Sequence, residues 1–240
     1  MRWFLSVEDA GRARLTLEKL RRHGLAPLVL TGGFAVELHL LQRGFAAQMR
    51  TLHDIDFLAE TFASIPATLA EDFLFNQVHP HDPPGKTLMQ AVDPATSVRV
   101  DVFRAYGEVW SRAEAVEVDG FAVRMITLED LIARATRLCL NLAAGTPIPA
   151  KHARDLLRLL PIADVDRVET VWAEHRKAGQ HPESFAEAEA LVRDLIVSRR
   201  DLLIVPEYLQ DADAACSRCE ATKAFPLAQG AVILELLGYR

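Results

Sequence analysis

Two aspartates, Asp54 and Asp56, lie two positions apart within an apolar stretch that ends at Leu58. In an extended strand their side chains point to the same side, and Ile55 and Phe57 point to the other side, towards a core. Two adjacent carboxylates repel each other, and Mg²⁺ removes that repulsion because it binds carboxylates together with substrate phosphates. The alternative is that Asp54 is a turn residue and Asp56 a solvated strand residue. The pair could therefore support metal-assisted chemistry at a phosphate.

A glycine pair upstream could hold such a phosphate. The apolar residues 28–30 predict a short strand, which runs through Thr31 into Gly32 and Gly33, where a helix opens. Glycine lets the backbone approach a ligand closely and adopt a positive φ. The start of a helix offers free N–H groups and the positive end of the helix dipole, and both suit a phosphate. The alternative is an ordinary strand-to-helix turn.

A third acid, Asp101, lies in the alternating stretch from Val98 to Phe103. The alternation predicts a strand. An acid among β-branched and aromatic residues needs a partner or a solvent-facing side. Asp101 is therefore a candidate functional residue, and the alternative is an exposed acid on an edge strand.

Together these segments resemble the nucleotidyltransferase superfamily, whose fold is shared with DNA polymerase β. Its members show a Gly-Gly or Gly-Ser turn that opens a helix, then a strand with Asp-x-Asp, then a third acid on a later strand. The matching residues here are Gly32, Gly33, Asp54, Asp56 and Asp101. More narrowly, the sequence is similar to a bacterial branch that includes the AbiEii-type toxins of abortive-infection systems. The features of that branch are matched by Ala35, by the apolar helix at residues 36–41 and by Arg50, across roughly residues 25–160.

The resemblance implies a transferase that depends on Mg²⁺ or Mn²⁺. It would move a nucleoside monophosphate from a nucleoside triphosphate to an acceptor hydroxyl, and pyrophosphate would leave. Asp54, Asp56 and Asp101 would hold two metal ions, one activating the attacking hydroxyl and one stabilising the leaving oxygen. Asp101 would be the general base.

The same resemblance assigns residues to the nucleotide. Thr31, Gly32 and Gly33 would hold the β- and γ-phosphates. Arg50 would orient the acidic pair or touch a phosphate. The alternative is a salt bridge between Arg50 and Asp54, and both roles can hold at once.

Basic residues on two later predicted helices could complete a phosphate site. The family commonly has a Lys on the first of these helices, which is absent here, and an Arg or Lys followed by Asp on the second, which Arg154 matches. Arg134 and Arg137 share one helix face because they lie three positions apart. Lys151, Arg154 and Arg158 share another, and two such faces opposed across a cleft could hold phosphates. The alternative is surface ion pairs with the acids Glu129, Asp130 and Asp155.

Two β-hairpins are predicted in the first half of the chain. Residues 115–118 and 121–125 alternate cleanly around Asp119-Gly120, a strong hairpin signal. Residues 87–92 predict a strand that pairs with the strand of Asp101. Helices are predicted at residues 6–22 and 66–75.

From Thr127, a predicted helix cap, the pattern is helical to about residue 200. The helices are expected at residues 128–142, 150–160, 165–177 and 183–198. We predict a domain boundary near Ile126, with a nucleotidyltransferase-like catalytic α/β core at residues 1–126 and a helical domain at residues 127–240. The predicted fold class is α+β: a nucleotidyltransferase-type mixed β-sheet core with flanking helices, followed by a helical C-terminal half.

Composition limits the class of protein. With 240 residues, 50% hydrophobic and 25% charged, the chain is expected to be soluble and globular. The net charge of −6 gives no global basic field for nucleic acid, although 27 Lys and Arg allow a local basic groove. No apolar run approaches the roughly 20 residues of a membrane span, and Glu8 and Asp9 follow the N-terminus too closely for a signal peptide. Three cysteines favour a cytoplasmic location over a disulfide framework.

Two other groups of possible metal ligands give weaker signals. His79, His81 and Asp82 lie among three prolines and a glycine, which favours a loop. Cys216 and Cys219 form a Cys-x-x-Cys, but a structural zinc needs four ligands and only Cys139 remains among the cysteines. We interpret the cysteines as a chance pair or as a weak metal site in a dimer.

The sequence leaves the acceptor open among a tRNA end, a protein hydroxyl and a small molecule. The acidic composition disfavours a long nucleic acid. A toxin-like or phage-defence role would imply an antitoxin partner protein, and we expect a monomer or homodimer without membrane contact. The alternative function is a catalytically inactive nucleotide-binding or interaction module on the same fold.

Overall fold

The structure, a computed structural model, describes residues 1–76 and 88–205. The helices in these ranges are α1 (Val7–His23), α2 (Gly32–Gln42), α3 (Leu128–Cys139), α4 (Ala150–Leu159), α5 (Val165–His175) and α6 (Phe185–Ser198). The strands of the large sheet are β1 (Leu28–Leu30), β2 (Asp54–Ala59), β3 (Leu74–Asn76), β4 (Leu88–Asp93), β5 (Val98–Arg104), β6 (Glu114–Val118) and β7 (Phe121–Met125). A small parallel pair is formed by β8 (Ile148–Pro149) and β9 (Leu203–Ile204).

The large sheet is mixed, with the strand order β3-β4-β5-β2-β1-β7-β6. The pairs β2–β5 and β1–β7 are parallel, and the other neighbours are antiparallel. β5 lies between β4 and β2, so the edge-strand alternative for Asp101 is wrong. Ile55 and Phe57 on β2 are fully buried in the core, as the period of two predicts.

Local signals place the helix ends where they were expected. Ser6 accepts a hydrogen bond from the N–H of Asp9 and caps α1, and Gly24 ends that helix with a φ of 98°. Thr127 caps α3 in the same way by accepting from the N–H of Asp130. The hairpin β6–β7 turns at Asp119 and Gly120, both with positive φ, and the hairpin β4–β5 is also present.

One predicted helix is wrong. Residues 66–75 form only a short 3₁₀ helix, Ala67–Glu71, followed by β3. The backbone of β3 pairs with β4 instead of continuing a helix, and Phe73 just before β3 is fully buried. Long-range pairing and core packing have overridden the local helical pattern here.

The predicted fold class is confirmed: a mixed sheet with flanking helices precedes Ile126, and α3 to α6 follow it. The division into domains at residues 1–126 and 127–240 stays a prediction. Within the described ranges, no helix combines the length and the apolar character needed to cross a membrane. Five candidate metal ligands lie outside the described residues: His79, His81, Asp82, Cys216 and Cys219.

Candidate active site

The three acids converge because β2 and β5 are parallel neighbours in register. Asp56 lies opposite Asp101, and Asp54 lies opposite Arg99. Residues directly opposite each other share a sheet face. One carboxylate oxygen from each of Asp54, Asp56 and Asp101 lies within 4.8 Å of the other two. Asp101 is 4% exposed and the other two are half-buried, so the cluster is only partly accessible to solvent.

Two acids of the cluster have a raised pKa. Burial, followed by the charges of Asp54 and Asp101, raises the pKa of Asp56 to about 7. Burial also raises the pKa of Asp101 to about 6, against the opposing effect of Arg99. Both shifts mean that the ionised form of these carboxyls is less favourable than that of an ordinary aspartate.

Arg99 is the functional residue nearest to the acids that the sequence reasoning missed. Its Nη2 donates to Asp54 Oδ2 at 2.5 Å, and its Nε donates to Asp101 Oδ1 at 2.8 Å. The signal was present, because Arg99 precedes Asp101 by two positions in an alternating strand and so shares its face. The guanidinium joins the first and third acids of the cluster.

The glycine turn lies directly beside Asp56. Gly32 begins α2 with a φ of +63°, and a Cβ built on it would lie 1.9 Å from Asp56 Oδ2. Thr31 donates its backbone N–H to the carbonyl of Asp56 at 2.9 Å. Its side chain makes no cap hydrogen bond to α2, and its buried Oγ1 has no partner among the described residues. The start of α2 thus presents uncapped N–H groups and an unpaired hydroxyl next to the acids.

Arg50 is held by acids other than the one expected. Its Nε donates to Glu37 Oε1 at 2.7 Å and its Nη2 donates to Asp155 Oδ1 at 2.6 Å, so the alternative of an Arg50–Asp54 salt bridge is wrong. Glu37 is fully buried and also accepts from both Nη atoms of Arg158, at 2.6 and 2.9 Å. The guanidinium lies against Gly33, where an added Cβ would lie 3.0 Å from Arg50 Nη1. This network ties α2 and α4 to the residues leading into β2.

The arginines of α3 stack on aromatic rings. The guanidinium of Arg134 lies 5.2 Å from the Phe103 ring centre, and that of Arg137 lies 5.3 Å from the Tyr106 ring centre. The acids that could have paired with them have other partners: Glu129 pairs with Arg167, Asp130 with Arg112, and Asp155 with Arg50.

Positive charge from α3 and α4 reaches the acid cluster. The charges of Lys151 and Arg134 both act to lower the pKa of Asp56, against the larger effect of burial. Arg154 lies 4.0 Å from Asp155 and is mostly exposed, so for this residue the surface ion pair is observed. Lys151 and Arg134 are thus predicted basic residues whose charge acts on Asp56.

No protein-family model and no curated protein matches this sequence. Solved structures do match. The Megavirus polyadenylate synthase is 12% identical, with 64% of this chain and 31% of that chain covered, at a TM-score of 0.43. The protein JHP933 of Helicobacter pylori is 16% identical, with 97% of this chain and 91% of that chain covered, at a TM-score of 0.44. An antigenic nucleotidyltransferase-like protein of Paracoccidioides brasiliensis is 17% identical, with 83% of this chain and 92% of that chain covered, at a TM-score of 0.45.

This chain spans about a third of the length of the polyadenylate synthase, at 31%. Two of these neighbours carry descriptive names, one as a polyadenylate synthase and one as a nucleotidyltransferase-like protein. Similarity to the AbiEii-type branch stays a prediction. Sequence identities and TM-scores this low carry no function over to this chain.

Gln90 is a second residue at the site that the sequence reasoning missed. It lies on β4 opposite Asp101, and its Nε2 donates to Asp101 Oδ1 at 3.1 Å. The hairpin β4–β5 was predicted, and counting back from its turn would have placed Gln90 opposite Asp101.

Proposed function

We propose that this protein transfers a nucleoside monophosphate from a nucleoside triphosphate to an acceptor hydroxyl, with the help of Mg²⁺ or Mn²⁺. The observation that carries the proposal is the cluster of Asp54, Asp56 and Asp101 beside the uncapped start of α2. An acid cluster alone does not define such a site. The unpaired Thr31 hydroxyl, the close fit of Gly32 and the basic residues of α3 and α4 support it independently.

The residues present fit a divalent metal. Three carboxylates supply the oxygen ligands that Mg²⁺ prefers. Burial, followed by the negative charges of Asp54 and Asp101, raises the pKa of Asp56, and added positive charge would offset that repulsion. When bound, the metal would supply that charge and polarise the phosphate oxygens. Asp54, Asp56 and Asp101 are the residues that would hold it.

The start of α2 suits the phosphates of the nucleotide. Its free N–H groups and dipole favour a dianion, and the Thr31 Oγ1 can donate to a phosphate oxygen. Arg50 Nη1 lies at the same turn, beside Gly33. In this arrangement Thr31, Gly32, Gly33 and Arg50 form the phosphate-binding side of the site.

Four basic residues are assigned to the same nucleotide. The side chains of Arg134 and Lys151 act electrostatically on the acid cluster, and they would neutralise the negative charge of the triphosphate. Arg137 and Arg154 extend this basic surface along α3 and α4. Guanidinium groups suit phosphate oxygens because they donate in a planar fork.

Asp101 fits the role of general base. In the proposed step the acceptor hydroxyl oxygen forms a bond to the α-phosphorus, and the bond from that phosphorus to the bridging oxygen breaks. Pyrophosphate leaves with the electron pair, and the hydroxyl proton passes to Asp101. In the metal-free protein, burial raises the pKa of this carboxyl to about 6, so it is ionised at neutral pH and can accept a proton.

A thermal-shift titration tests the proposal. Each of the four nucleoside triphosphates would be added with Mg²⁺, with Mn²⁺ or with EDTA to the wild type and to Asp54→Asn/Asp56→Asn. We expect stabilisation that needs both metal and triphosphate and is absent from the double variant. The matched control is Asp194→Asn/Asp201→Asn, which changes two exposed acids on and after α6. If no triphosphate changes the melting temperature of the wild type with either metal, the proposal is wrong.

One observation favours the second candidate, a catalytically inactive nucleotide-binding module. Arg99 already pairs with Asp54 and Asp101, two of the three candidate metal ligands. Stabilisation by a triphosphate in EDTA, equal to that with metal, would support this candidate over the transferase.

The finer parts of the function stay predictions. They are a toxin-like or phage-defence role with an antitoxin partner, a monomeric or homodimeric state, and a cytoplasmic location. Copurification of a tagged chain with the product of a neighbouring gene would test the antitoxin, and sedimentation analysis would test the oligomeric state.

A further inference from the structure

One polar row crosses three neighbouring strands of the large sheet and ends at a residue directly after β1. Gln90 on β4 lies opposite Asp101 on β5, and Asp101 lies opposite Asp56 on β2. Thr31, directly after β1, donates its N–H to the Asp56 carbonyl and ends the row. Residues opposite each other share a sheet face, so the two acids lie between a glutamine and a threonine.

Both outer residues of this row have an unsatisfied buried oxygen. Thr31 is 2% exposed and Gln90 is 4% exposed, and neither Thr31 Oγ1 nor Gln90 Oε1 has a hydrogen-bond partner in the part of the chain that the structure describes. Buried polar atoms are normally paired, because leaving one unpaired is unfavourable. Two such atoms at opposite ends of one row indicate two ligand contacts on either side of the acids.

The orientation of the Gln90 amide is fixed. An ionised carboxylate only accepts hydrogen bonds, so the group facing Asp101 Oδ1 must be the donor Nε2, at 3.1 Å. Oε1 is therefore the atom left over, and it can only accept. A ligand that satisfies it must present a hydrogen-bond donor close to Asp101.

We propose that Gln90 holds the acceptor, with Oε1 accepting a hydrogen bond from a second donor next to the attacking hydroxyl. This inference rests on the proposed transferase function. Thr31 lies at the end of the row where the phosphates would bind. Gln90 lies at the opposite end, beside the general base Asp101, where the acceptor would bind. The attacking hydroxyl gives its proton to Asp101, and the second group keeps its proton and donates it to Gln90.

This contact selects a class of acceptor. A vicinal diol presents one hydroxyl to Asp101 and its neighbour to Gln90. The side chains of Ser, Thr and Tyr carry a single hydroxyl, and would leave Oε1 unpaired. A site built to pair with a second hydroxyl discriminates against analogues that lack it. The acceptor is therefore expected to be a sugar diol, either on the terminal ribose of an RNA or on a free sugar.

Matched acceptors test the proposal in two arms. The first uses two RNA oligonucleotides that differ only in a 3′-terminal ribose or 2′-deoxyribose. The second uses methyl riboside and its 2-deoxy analogue. Transfer from an α-labelled triphosphate with Mg²⁺ would be measured for each acceptor. We expect wild type to favour the diol by about tenfold, the effect of one neutral hydrogen bond, in the arm that matches the acceptor's source.

The preference, rather than the rate, identifies the role of Gln90. Gln90→Leu also removes the hydrogen-bond donor to Asp101. That loss changes the transfer rate with the diol and the deoxy acceptor alike, so it cancels in the ratio of the two rates. We expect Gln90→Leu to lose the preference while its thermal shift with triphosphate and metal remains. Gln90→Met keeps the length of the side chain, removes both polar atoms and should lose the preference as well, so the inference stays testable if Gln90→Leu does not fold. Thr136→Val removes another buried oxygen without a partner in the described ranges, and should keep the preference.

Three results would overturn the inference. The first is equal labelling of the diol and deoxy acceptors by wild type. The second is labelling of neither acceptor although triphosphate and metal still stabilise the protein. The third is a preference for the diol that remains in Gln90→Leu. Labelling in the RNA arm alone or in the sugar arm alone supports it and identifies the source of the diol. If triphosphate and metal do not stabilise the wild type at all, the proposed function itself fails, and that result is distinct from the others.

Discussion

The carboxylate of Asp56 occupies the space that any side chain at Gly32 would need. A Cβ on residue 32 would lie 1.9 Å from Asp56 Oδ2, and the φ of +63° is itself unfavourable for a residue other than glycine. The glycine thus lets the start of α2 and the second acid of the cluster come into contact.

Replacing Gly32 with alanine should disturb both the fold and the site. We expect Gly32→Ala to destabilise the protein by at least about 2 kcal/mol, because the methyl group must displace Asp56 and residue 32 must keep its positive φ. Chemical denaturation would measure this, and the stabilisation by triphosphate and metal should be lost. Gly11→Ala is the control: a Cβ there meets nothing within 4 Å, so α1 should be unchanged or slightly stabilised. Equal stability of Gly32→Ala and wild type would contradict the observed contact.

Arg99 should compete with a metal for Asp54 and Asp101. Arg99→Met removes the guanidinium that pairs with both acids, so we expect Mn²⁺ alone to bind about tenfold more tightly, as calorimetric titration would show. Arg193→Met, which breaks only a surface pair with Glu189, serves as the control. Unchanged or weaker Mn²⁺ binding by Arg99→Met would argue against the competition.

The raised pKa of Asp56 predicts a pH-dependent stability difference. The folded protein holds this proton up to about pH 7, whereas the unfolded chain releases it near 3.8, so ionisation of Asp56 lowers the stability of the metal-free wild type as the pH rises between these values. Asp56→Asn does not ionise, and should be more stable than wild type by about 2 kcal/mol at pH about 8.

Urea denaturation of both proteins in EDTA, at pH about 5.5 and about 8, would measure this difference. The lowered pKa of His39 and His152 acts in the opposite direction, but it is common to both proteins and cancels in the comparison. A difference that shrinks as the pH rises would show that the assigned direction is wrong.

Glu37 should be essential to the position of Arg50. Glu37 is fully buried between Arg50 and Arg158. Burial is the largest single effect on its pKa and raises it, but the hydrogen bonds from these two arginines and from the N–H of Gln48, with the charge of Arg50, together outweigh burial and lower the pKa. Glu37→Gln keeps the shape and removes the charge, leaving two arginines under-compensated. We expect a loss of about 3 kcal/mol in the free energy of unfolding, together with weaker triphosphate binding. The exposed change Glu187→Gln should leave both quantities near wild type.

Arg134 should contribute to triphosphate binding through its charge. Arg134→Met keeps an apolar contact with Phe103 but removes the guanidinium that acts on Asp56, so we expect about tenfold weaker binding of triphosphate with metal. Fluorescence titration with a labelled triphosphate would measure it. Arg167→Met removes an exposed charge of the same helical region and should bind normally. Normal binding by Arg134→Met would exclude this residue from the phosphate site.

The sequence by itself determined what depends on neighbouring residues. The period of two placed Asp54 and Asp56 on one side of β2 and Ile55 on the other. The caps of α1 and α3 and the turn at Asp119-Gly120 follow from hydrogen bonds and backbone preferences within a few residues. Such signals are local, so the sequence carries them without reference to the fold.

Only the tertiary structure decided which of these pieces meet. The parallel register of β2 and β5 brings Asp101 to Asp56, and the same register reveals Arg99 and Gln90 as their polar neighbours. Arg50 forms ion pairs with Glu37 and Asp155 rather than with Asp54. Strand order, register and the choice of ion-pair partner depend on contacts between residues far apart in the chain, and the packing of the whole sheet selects among them.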